Sequence, residues 1–350
     1  MKPGIYETER YKRAVSPSYN NILDKKTGSF ARWGATQGED PQWSPMGPEI
    51  LDIEITVDGC PNTCAFCYKG NSQAEATNMT LGTFESILAK FGPNLGQIAF
   101  GITGVQTNPD FIPIMEHCRE RGVVPNFTLS GADLTPEIAE KCSELVGAVA
   151  VSVYKPVDVG YDTVKTFTNL GVTQTNIHLM VSQETMPHVW RVVRDRGSDP
   201  RLADMNAIVF LTTKPKGRAR GRFTAPTLAQ YSELVKYCLD HDIAFGFDSC
   251  GASKFEAAID TMGLSDAVRA RLKMCSESCE SDLFSGYVNV RGEFWHCSFS
   301  EGEPGIEPVN LLEMEGDFWM SEPVVAFREK LLATTKDGCR QCPIFPEINA

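Results

Sequence analysis

Three cysteines, Cys60, Cys64 and Cys67, lie on one short loop directly after the apolar run LDIEITV at 51–57. Three thiolates at this spacing can hold three irons of a 4Fe-4S cube and leave the fourth iron open to another ligand. A structural zinc site instead needs four protein ligands. The loop has no fourth cysteine, and the nearest histidine is the distant His117. We therefore favour an open iron-sulfur cluster over zinc.

The loop reads CPNTCAFCYKG, with Phe66 before the last cysteine. It resembles the C-x3-C-x-(aromatic)-C signature of the radical S-adenosylmethionine (radical SAM) enzymes. The resemblance implies that SAM chelates the open iron and that one electron from the cluster cleaves it to a 5'-deoxyadenosyl radical, which takes a hydrogen atom from a substrate. It also implies an electron donor such as flavodoxin or ferredoxin, and a protein that holds the radical beside one C–H bond.

Composition is compatible with a globular enzyme. The chain has 350 residues, 42% of them hydrophobic, and a net charge of −12, which disfavours a general nucleic-acid or anionic-membrane binder. The N-terminus lacks the apolar core of a signal peptide, and no run reaches the length of a membrane span. We expect a cytoplasmic protein, in which twelve cysteines are metal ligands and buried thiols rather than a disulfide framework.

Apolar strand patterns alternate with amphipathic helix patterns along the middle of the chain. The predicted strands are 51–57, 98–102, 123–129, 148–154, 176–181, 206–211 and 243–247. Strands that are apolar throughout and separated by single helices indicate a parallel sheet covered by helices. The pattern predicts an α/β barrel or partial barrel with its chemistry at the carboxyl ends of the strands, and a doubly wound sheet is the alternative. The family resemblance implies a partial (β/α)6 TIM-like barrel.

We divide the chain into three parts. Residues 1–50 are predicted to be an N-terminal extension that wraps the barrel, and residues 51–250 form the radical SAM partial barrel. Residues 251–350 form a small cysteine-rich α+β extension, because the alternation of helices and strands stops there and cysteines return.

Residues for cofactor binding follow from the family pattern. The segment ITGVQTNPDF occupies the place of the family's glycine-rich turn but lacks its acidic residue, so Thr103 and Gly104 are the candidates there. Ser152 matches a serine that many relatives have after the fourth strand, and Tyr154 replaces their aspartate. Tyr154 is either a packing residue or part of the chemistry. The other cofactor-binding candidates are Phe66 and Ser130.

Five further cysteines lie near the C-terminus: Cys275, Cys279, Cys297, Cys339 and Cys342. A hairpin that turns at Gly292 would carry Cys297 at its end, and the spacing resembles the C-x(9–15)-G-x4-C signature of SPASM and twitch extensions, which hold auxiliary 4Fe-4S clusters. The resemblance implies one auxiliary cluster on Cys279, Cys297, Cys339 and Cys342. Cys275 is left over, or exchanges roles with Cys279. A four-cysteine zinc site is the alternative.

Two other features follow barrel strands. Asp248 and Cys250 come after the last strand, where a hydrogen-atom donor or an acid/base pair would face the active site; packing is the competing interpretation. The basic segment KPKGRARGR at 214–222 is either a solvated loop or a binding element for the carboxylate of SAM or of an acidic peptide.

The sequence therefore predicts a radical SAM oxidoreductase with a SAM-binding 4Fe-4S cluster and an auxiliary 4Fe-4S cluster that accepts an electron or binds substrate. We favour a peptide or amino-acid-derived substrate. A dehydrogenase or epimerase of a small molecule such as an amino sugar is the alternative, and a non-enzymatic metal-binding protein is the contrasting class.

Overall fold

The computed structural model describes residues 2–336 and 338–349. The strands are β1 (Gly4–Glu7), β2 (Tyr11–Val15), β3 (Asn20–Asp24), β4 (Phe30–Trp33), β5 (Ile50–Glu54), β6 (Thr56–Val57), β7 (Thr77–Asn78), β8 (Gln97–Gly101), β9 (Val124–Leu129), β10 (Ala148–Ser152), β11 (Thr175–Val181), β12 (Ile208–Thr212), β13 (Phe245–Phe247), β14 (Ser285–Val288), β15 (Glu293–Trp295), β16 (Val309–Asn310), β17 (Thr335–Lys336) and β18 (Cys339–Arg340). The helices are α1 (Leu81–Leu88), α2 (Phe111–Glu120), α3 (Pro136–Leu145), α4 (Asp158–Asn169), α5 (Met186–Asp195), α6 (Leu228–Asp240), α7 (Ala252–Thr261), α8 (Asp266–Met274) and α9 (Glu322–Ala333).

The central sheet has ten strands in the order β13-β12-β11-β10-β9-β8-β5-β14-β15-β16. From β5 to β13 the strands follow chain order, and every neighbouring pair is parallel. A doubly wound sheet reverses its order partway, so that alternative is wrong. The predicted partial barrel is confirmed, with a single helix between successive strands over most of its length.

The alternation of side chains along β5 shows how the barrel is built. Leu51 and Ile53 are fully buried in the core that the helices cover. Asp52 and Glu54 point to the opposite side, into the barrel, because side chains alternate between the faces of a strand. Helix starts follow their sequence signals: Thr135 accepts a hydrogen bond from the Ile138 backbone N–H (3.4 Å), as expected of an N-cap followed by proline.

Residues before β5 form a four-stranded antiparallel sheet, β1 to β4, that the sequence did not predict. This sheet packs at the end of the barrel where the strands begin. Lys12 donates to the Leu95 carbonyl oxygen (2.9 Å), and Gln97 donates to the Gly28 carbonyl oxygen (3.2 Å). The sheet therefore lies away from the carboxyl ends of the barrel strands.

The C-terminal region is joined directly to the barrel sheet. Strand β14 pairs in parallel with β5, and β15 pairs antiparallel with β14. The predicted hairpin is present, and its turn contains Gly292 at a φ of +79°. Helices α7 and α8 were not predicted; α8 has no buried residue and therefore no apolar stripe for the sequence to reveal. In the described part of the chain, no helix combines the length and the apolar character needed to cross a bilayer.

Candidate active site

A cavity of about 450 Å³ opens at the carboxyl ends of the barrel strands. Seven strands, β5 and β8 to β13, each contribute a lining residue from their last positions or from the residue that follows. Three residues of the C-terminal region, Tyr287, Ser298 and Phe299, complete the wall. The cavity thus lies where parallel barrels carry their active sites, and we call it the barrel cavity.

The three cysteines of the first loop, Cys60, Cys64 and Cys67, all line the barrel cavity, between β6 and β7. Burial raises the pKa of Cys64, an interaction with the Tyr154 hydroxyl lowers it, and the neighbouring thiols of Cys60 and Cys67 raise it again. Three thiols on one loop supply the donors that three irons of a cluster require. The donor set therefore fits an iron-sulfur cluster.

Arg218 holds the backbone of this loop. Its guanidinium donates to the carbonyl oxygens of Cys64 (2.9 Å), Gly70 (2.8 Å) and Asn71 (2.8 Å). The preceding Gly217 has a φ of +56° and lies so close to the loop that a Cβ there would collide with its backbone. The basic segment and the cysteine loop are thus fitted to each other, and no local pattern in the sequence signals this contact.

Four of the five cofactor-binding candidates line the barrel cavity: Phe66, Thr103, Ser130 and Ser152. The hydroxyl of Thr103 is buried and has no hydrogen-bond partner within the described residues. A buried hydroxyl normally has a partner, so this group is available to a bound ligand. Ser130 accepts a hydrogen bond from the Asn62 side chain of the cysteine loop (2.7 Å).

Gly104 lies against Asp133, which the sequence did not single out. Asp133 follows β9 and accepts a hydrogen bond from the Gln106 backbone N–H (3.0 Å). A Cβ on Gly104 would lie 2.7 Å from the Thr107 hydroxyl and even closer to Asp133. Gly104 is followed by Val105 and Gln106 rather than by an acidic residue, and the fold brings the Asp133 carboxylate to this turn from another loop.

Tyr154 follows β10 and packs against the cysteine loop. Its ring centroid lies 5.7 Å from that of Phe66, which in turn meets Phe223 edge-on at 5.8 Å. Burial raises the pKa of the Tyr154 phenol, and the nearby Cys64 thiol raises it further. The side chain therefore stays protonated and forms part of the cavity wall.

Lys69, two residues after Cys67, ties the cysteine loop to the C-terminal region. Its ammonium pairs with Glu54 (3.0 Å) and Glu301 and donates to the Tyr287 hydroxyl (2.8 Å). The sequence analysis missed these residues. A signal was present in the run LDIEITV, which carries two carboxylates in an otherwise apolar strand.

The basic segment at 214–222 binds carboxylates, but these belong to the protein itself. Lys214 is buried, pairs with Asp248 and lies 4.4 Å from the centroid of the Phe299 ring. Asp248 also accepts a hydrogen bond from the Thr212 backbone N–H (3.1 Å) and lines the barrel cavity. Lys216 pairs with Glu303 (3.2 Å). The segment is therefore a connector between the barrel and the C-terminal region rather than a solvated loop.

A second group of cysteines gathers beside the cavity wall. Burial, with smaller contributions from the thiols of Cys279 and Cys342, raises the pKa of Cys297 to about 12. Burial raises the pKa of Cys339 to about 11, with a smaller contribution from Cys279. The thiols of Cys279 and Cys342 are therefore near Cys297, and Cys279 is also near Cys339. Cys297 directly precedes Ser298 and Phe299 of the cavity wall.

Cys250 belongs to this second group. It lies on the short 3-10 helix Ser249–Gly251, which packs against the C-terminal turn Pro346–Asn349. Burial raises the pKa of Cys250 well above its usual range; the Lys214 ammonium opposes this shift, and the Cys279 and Cys297 thiols add to it. Cys250 is not among the described residues that line the barrel cavity.

Cys275 is exposed at the C-terminal cap of α8. All twelve cysteines lie within the described residues and are free thiols. In residues 2–336 and 338–349, no group of three or more His, Cys, Asp and Glu side chains is arranged to hold a single metal ion.

Arg340 fixes the C-terminal cysteines much as Arg218 fixes the first loop. It donates to the carbonyl oxygens of Cys279 (2.5 Å) and Ser278 (3.1 Å). Asn349 accepts from the Cys342 backbone N–H (2.8 Å) and donates to its carbonyl oxygen (3.2 Å). Arg218 and Arg340 therefore each fix the backbone at a cysteine, and the Cys342 thiol itself accepts a hydrogen bond from the Phe345 backbone N–H (3.3 Å).

No protein-family model matches the chain, and no curated protein matches it in sequence. Among solved structures, SuiB of Streptococcus suis bound to its precursor peptide SuiA is similar over 92% of this chain and 90% of its own, with a TM-score of 0.69 and 11% identity. SuiB bound to S-adenosylmethionine gives a TM-score of 0.63 at 14% identity, over 82% of this chain and 68% of its own. The protein anSMEcpe with bound AdoMet and a Cp18Cys peptide gives 0.58 at 16% identity, over 85% and 87%.

These neighbours are radical SAM enzymes. The fold of this chain is therefore the radical SAM fold, as the cysteine loop implied. At this level of identity the likeness concerns the fold, and the chemistry has to be argued from the residues of the site.

Proposed function

We propose that the protein is a radical SAM oxidoreductase that modifies a peptide or an amino-acid-derived substrate. The observation that carries the proposal is the position of Cys60, Cys64 and Cys67, which line one cavity with the unpartnered hydroxyl of Thr103 at the mouth of a partial barrel.

The residues of the cavity divide into those that would hold the cofactor and those that shape its surroundings. Cys60, Cys64 and Cys67 would ligate three irons of a 4Fe-4S cluster, leaving one iron for SAM. The residues that would hold SAM are Phe66, Thr103, Gly104, Ser130 and Ser152. When bound, the two groups supply one-electron cleavage of SAM and a carbon radical that takes a hydrogen atom from the substrate.

Residues of the cavity wall would exclude water from the reaction, and others fix the position of the cysteine loop. Leu129, Met180, Leu211 and Phe299 supply apolar surface to the cavity wall, which excludes water from a reactive intermediate. Arg218 fixes the cysteine loop through three carbonyl oxygens. Asp248, which pairs with Lys214, and Tyr154 lie in the cavity wall, where they would contact the substrate.

The second group of cysteines is suited to an auxiliary 4Fe-4S cluster on Cys279, Cys297, Cys339 and Cys342. Cys250 lies next to them and provides a fifth thiol. The cluster would be separated from the cavity by Ser298 and Phe299, which directly follow Cys297. This position suits an acceptor for the electron that leaves an oxidised substrate, or a ligand for the substrate.

A peptide substrate is supported by the neighbours, since SuiB was solved with the precursor peptide SuiA and anSMEcpe with a Cp18Cys peptide. The twelve free thiols suit the reducing cytosol. There, a flavodoxin or ferredoxin would supply the electron.

The proposal is tested with anaerobically reconstituted protein, SAM and dithionite, by measuring 5'-deoxyadenosine and methionine. The wild type should release both products, and Cys64→Ala should release neither because the cluster loses a ligand. Cys142→Ala, which removes a buried helix thiol, should keep the activity at a stability cost of about 1 kcal/mol. Undiminished cleavage by Cys64→Ala would overturn the assignment.

A further inference from the structure

Strand β5 presents two carboxylates, Asp52 and Glu54, to the barrel cavity. They are two residues apart on one strand, so they lie on the same face about 6.6 Å apart along it. Asp52 opens into the cavity and has no hydrogen-bond or ion-pair partner within the described residues. Its side chain is exposed to the cavity, and partial loss of solvation by the surrounding protein raises its pKa to about 6.

Only one of the two carboxylate oxygens of Glu54 has a partner within the described residues. Its side chain is 6% exposed, and one carboxylate oxygen lies 3.0 Å from the Lys69 ammonium. The other oxygen is buried without a hydrogen-bond partner in the described part of the chain. A buried carboxylate oxygen in this state is costly unless a ligand supplies the missing donor.

The cations around the cavity are already engaged. Lys69 is shared between Glu54 and Glu301, and Arg291 is shared between Glu293 (2.7 Å) and Glu301 (3.6 Å), so three carboxylates in this group face two cations. Lys214 pairs with Asp248. Arg218 donates to backbone carbonyl oxygens of the cysteine loop.

The histidine that lines the cavity adds no positive charge. Burial lowers the pKa of His178 to about 4, so it is neutral near pH 7. The β5 side of the cavity therefore has negative charge that no side chain of the described residues balances.

We propose that Asp52 and Glu54 bind a cationic nitrogen of the substrate, a primary amine or a guanidinium. This inference rests on the proposed function, since it assigns the substrate class of the same cavity. A carboxylate pair with one free and one half-paired member can accept charge-assisted hydrogen bonds from such a group. The nitrogen belongs either to a lysine or arginine side chain of a peptide or to a small-molecule amine.

The test compares two probes that differ in the charged group, Nα-acetyl-lysinamide and Nα-acetyl-norleucinamide. Both are titrated calorimetrically into the reconstituted protein with SAM present and no reductant, so that binding is measured without turnover. The lysine probe should bind at least about tenfold more tightly, a difference of about 1.4 kcal/mol. Asp52→Asn and the double variant with Glu54→Gln should lose this preference.

Asp240→Asn is the matched control, because Asp240 is an exposed carboxylate paired with Lys236 on the outer face of α6. It should keep the preference. A third probe, cadaverine, is an amine without a peptide backbone and therefore identifies the source of the nitrogen. If cadaverine binds as tightly as the lysine probe, the substrate is a small-molecule amine. If it binds more weakly, the substrate is a peptide. Circular dichroism of each variant establishes that it is folded.

Equal affinity for the lysine and norleucine probes would overturn the proposal. So would loss of SAM binding in Asp52→Asn, because the carboxylate would then serve the cofactor, which is itself cationic. Probe binding does not depend on SAM cleavage. A protein that prefers the lysine probe but does not cleave SAM would contradict the proposed function and leave the cation site standing.

Discussion

At the scale of single residues, the candidate site depends on the cysteines and also on side chains that hydrogen-bond to the backbone of the cysteine loop. Arg218 makes three hydrogen bonds to the carbonyl oxygens of the cysteine loop. A guanidinium can do this because its donors are fixed in a plane, whereas an ammonium is a compact point donor. The arginine is therefore a positioning residue for the cysteines.

We expect Arg218→Lys to loosen the cysteine loop, so that the protein releases iron to a chelator several-fold faster than the wild type. The loss of absorbance near 400 nm measures this release. The exposed Arg222 provides the control, and Arg222→Lys should behave as the wild type. Relative to the wild type, the rate of SAM cleavage by freshly loaded Arg218→Lys should fall by a smaller factor than the lifetime of its cluster. An unchanged rate of iron release would mean that the three hydrogen bonds do not hold the loop.

At the scale of elements, a buried arginine links the N-terminal sheet to the C-terminal cysteine region, beside an apolar cluster that also joins them. Arg32 on β4 pairs with Glu49 (2.9 Å) and Glu280 (2.6 Å) and stacks over the Phe284 ring, 3.7 Å from its centroid. Glu280 directly follows Cys279. The N-terminal sheet thus supports the segment that carries a ligand candidate of the second group.

Arg32→Met should destabilise the fold by about 3–5 kcal/mol, because it leaves two carboxylates buried without a cation. Chemical denaturation measures the loss. The triple variant that adds Glu49→Gln and Glu280→Gln should recover part of it. Arg10→Met removes an ion pair whose arginine is 58% exposed and screened by water, so it should cost much less stability than Arg32→Met. If Arg32→Met and Arg10→Met lowered the free energy of unfolding by similar amounts, the buried ion pairs of Arg32 would not stabilise the fold more than an exposed pair does.

At the scale of the whole molecule, two groups of cysteines lie on opposite sides of the cavity wall. If each holds a 4Fe-4S cluster, the reconstituted protein contains about eight irons per chain. The variant with Cys60, Cys64 and Cys67 all replaced by Ala should keep about half of this iron and lose SAM cleavage completely. Iron and zinc analysis of the same sample decides the outcome, since zinc without iron in this variant would favour a structural zinc site.

The sequence alone determined the features that arise locally. Apolar periodicity predicted every strand of the barrel, because the buried face of a strand or helix is visible in neighbouring residues. The cysteine loop predicted the chemistry that we propose, and Gly292 located the hairpin turn that precedes Cys297. Strand order, and with it the choice of barrel over doubly wound sheet, followed only from the pairing of β5 through β13.

The tertiary structure decided whatever depends on contacts between distant segments. The pairing of β14 with β5, the clamp of Arg218 on the first loop and the approach of Cys250 to Cys279 and Cys297 join residues far apart in the chain. Such contacts leave no periodic signal, since a polar residue that will be buried against a distant partner looks in sequence like one exposed to water. Asp52 and Glu54 are the instructive case: their place in an apolar strand marked them as unusual, but only the fold gave them a common cavity.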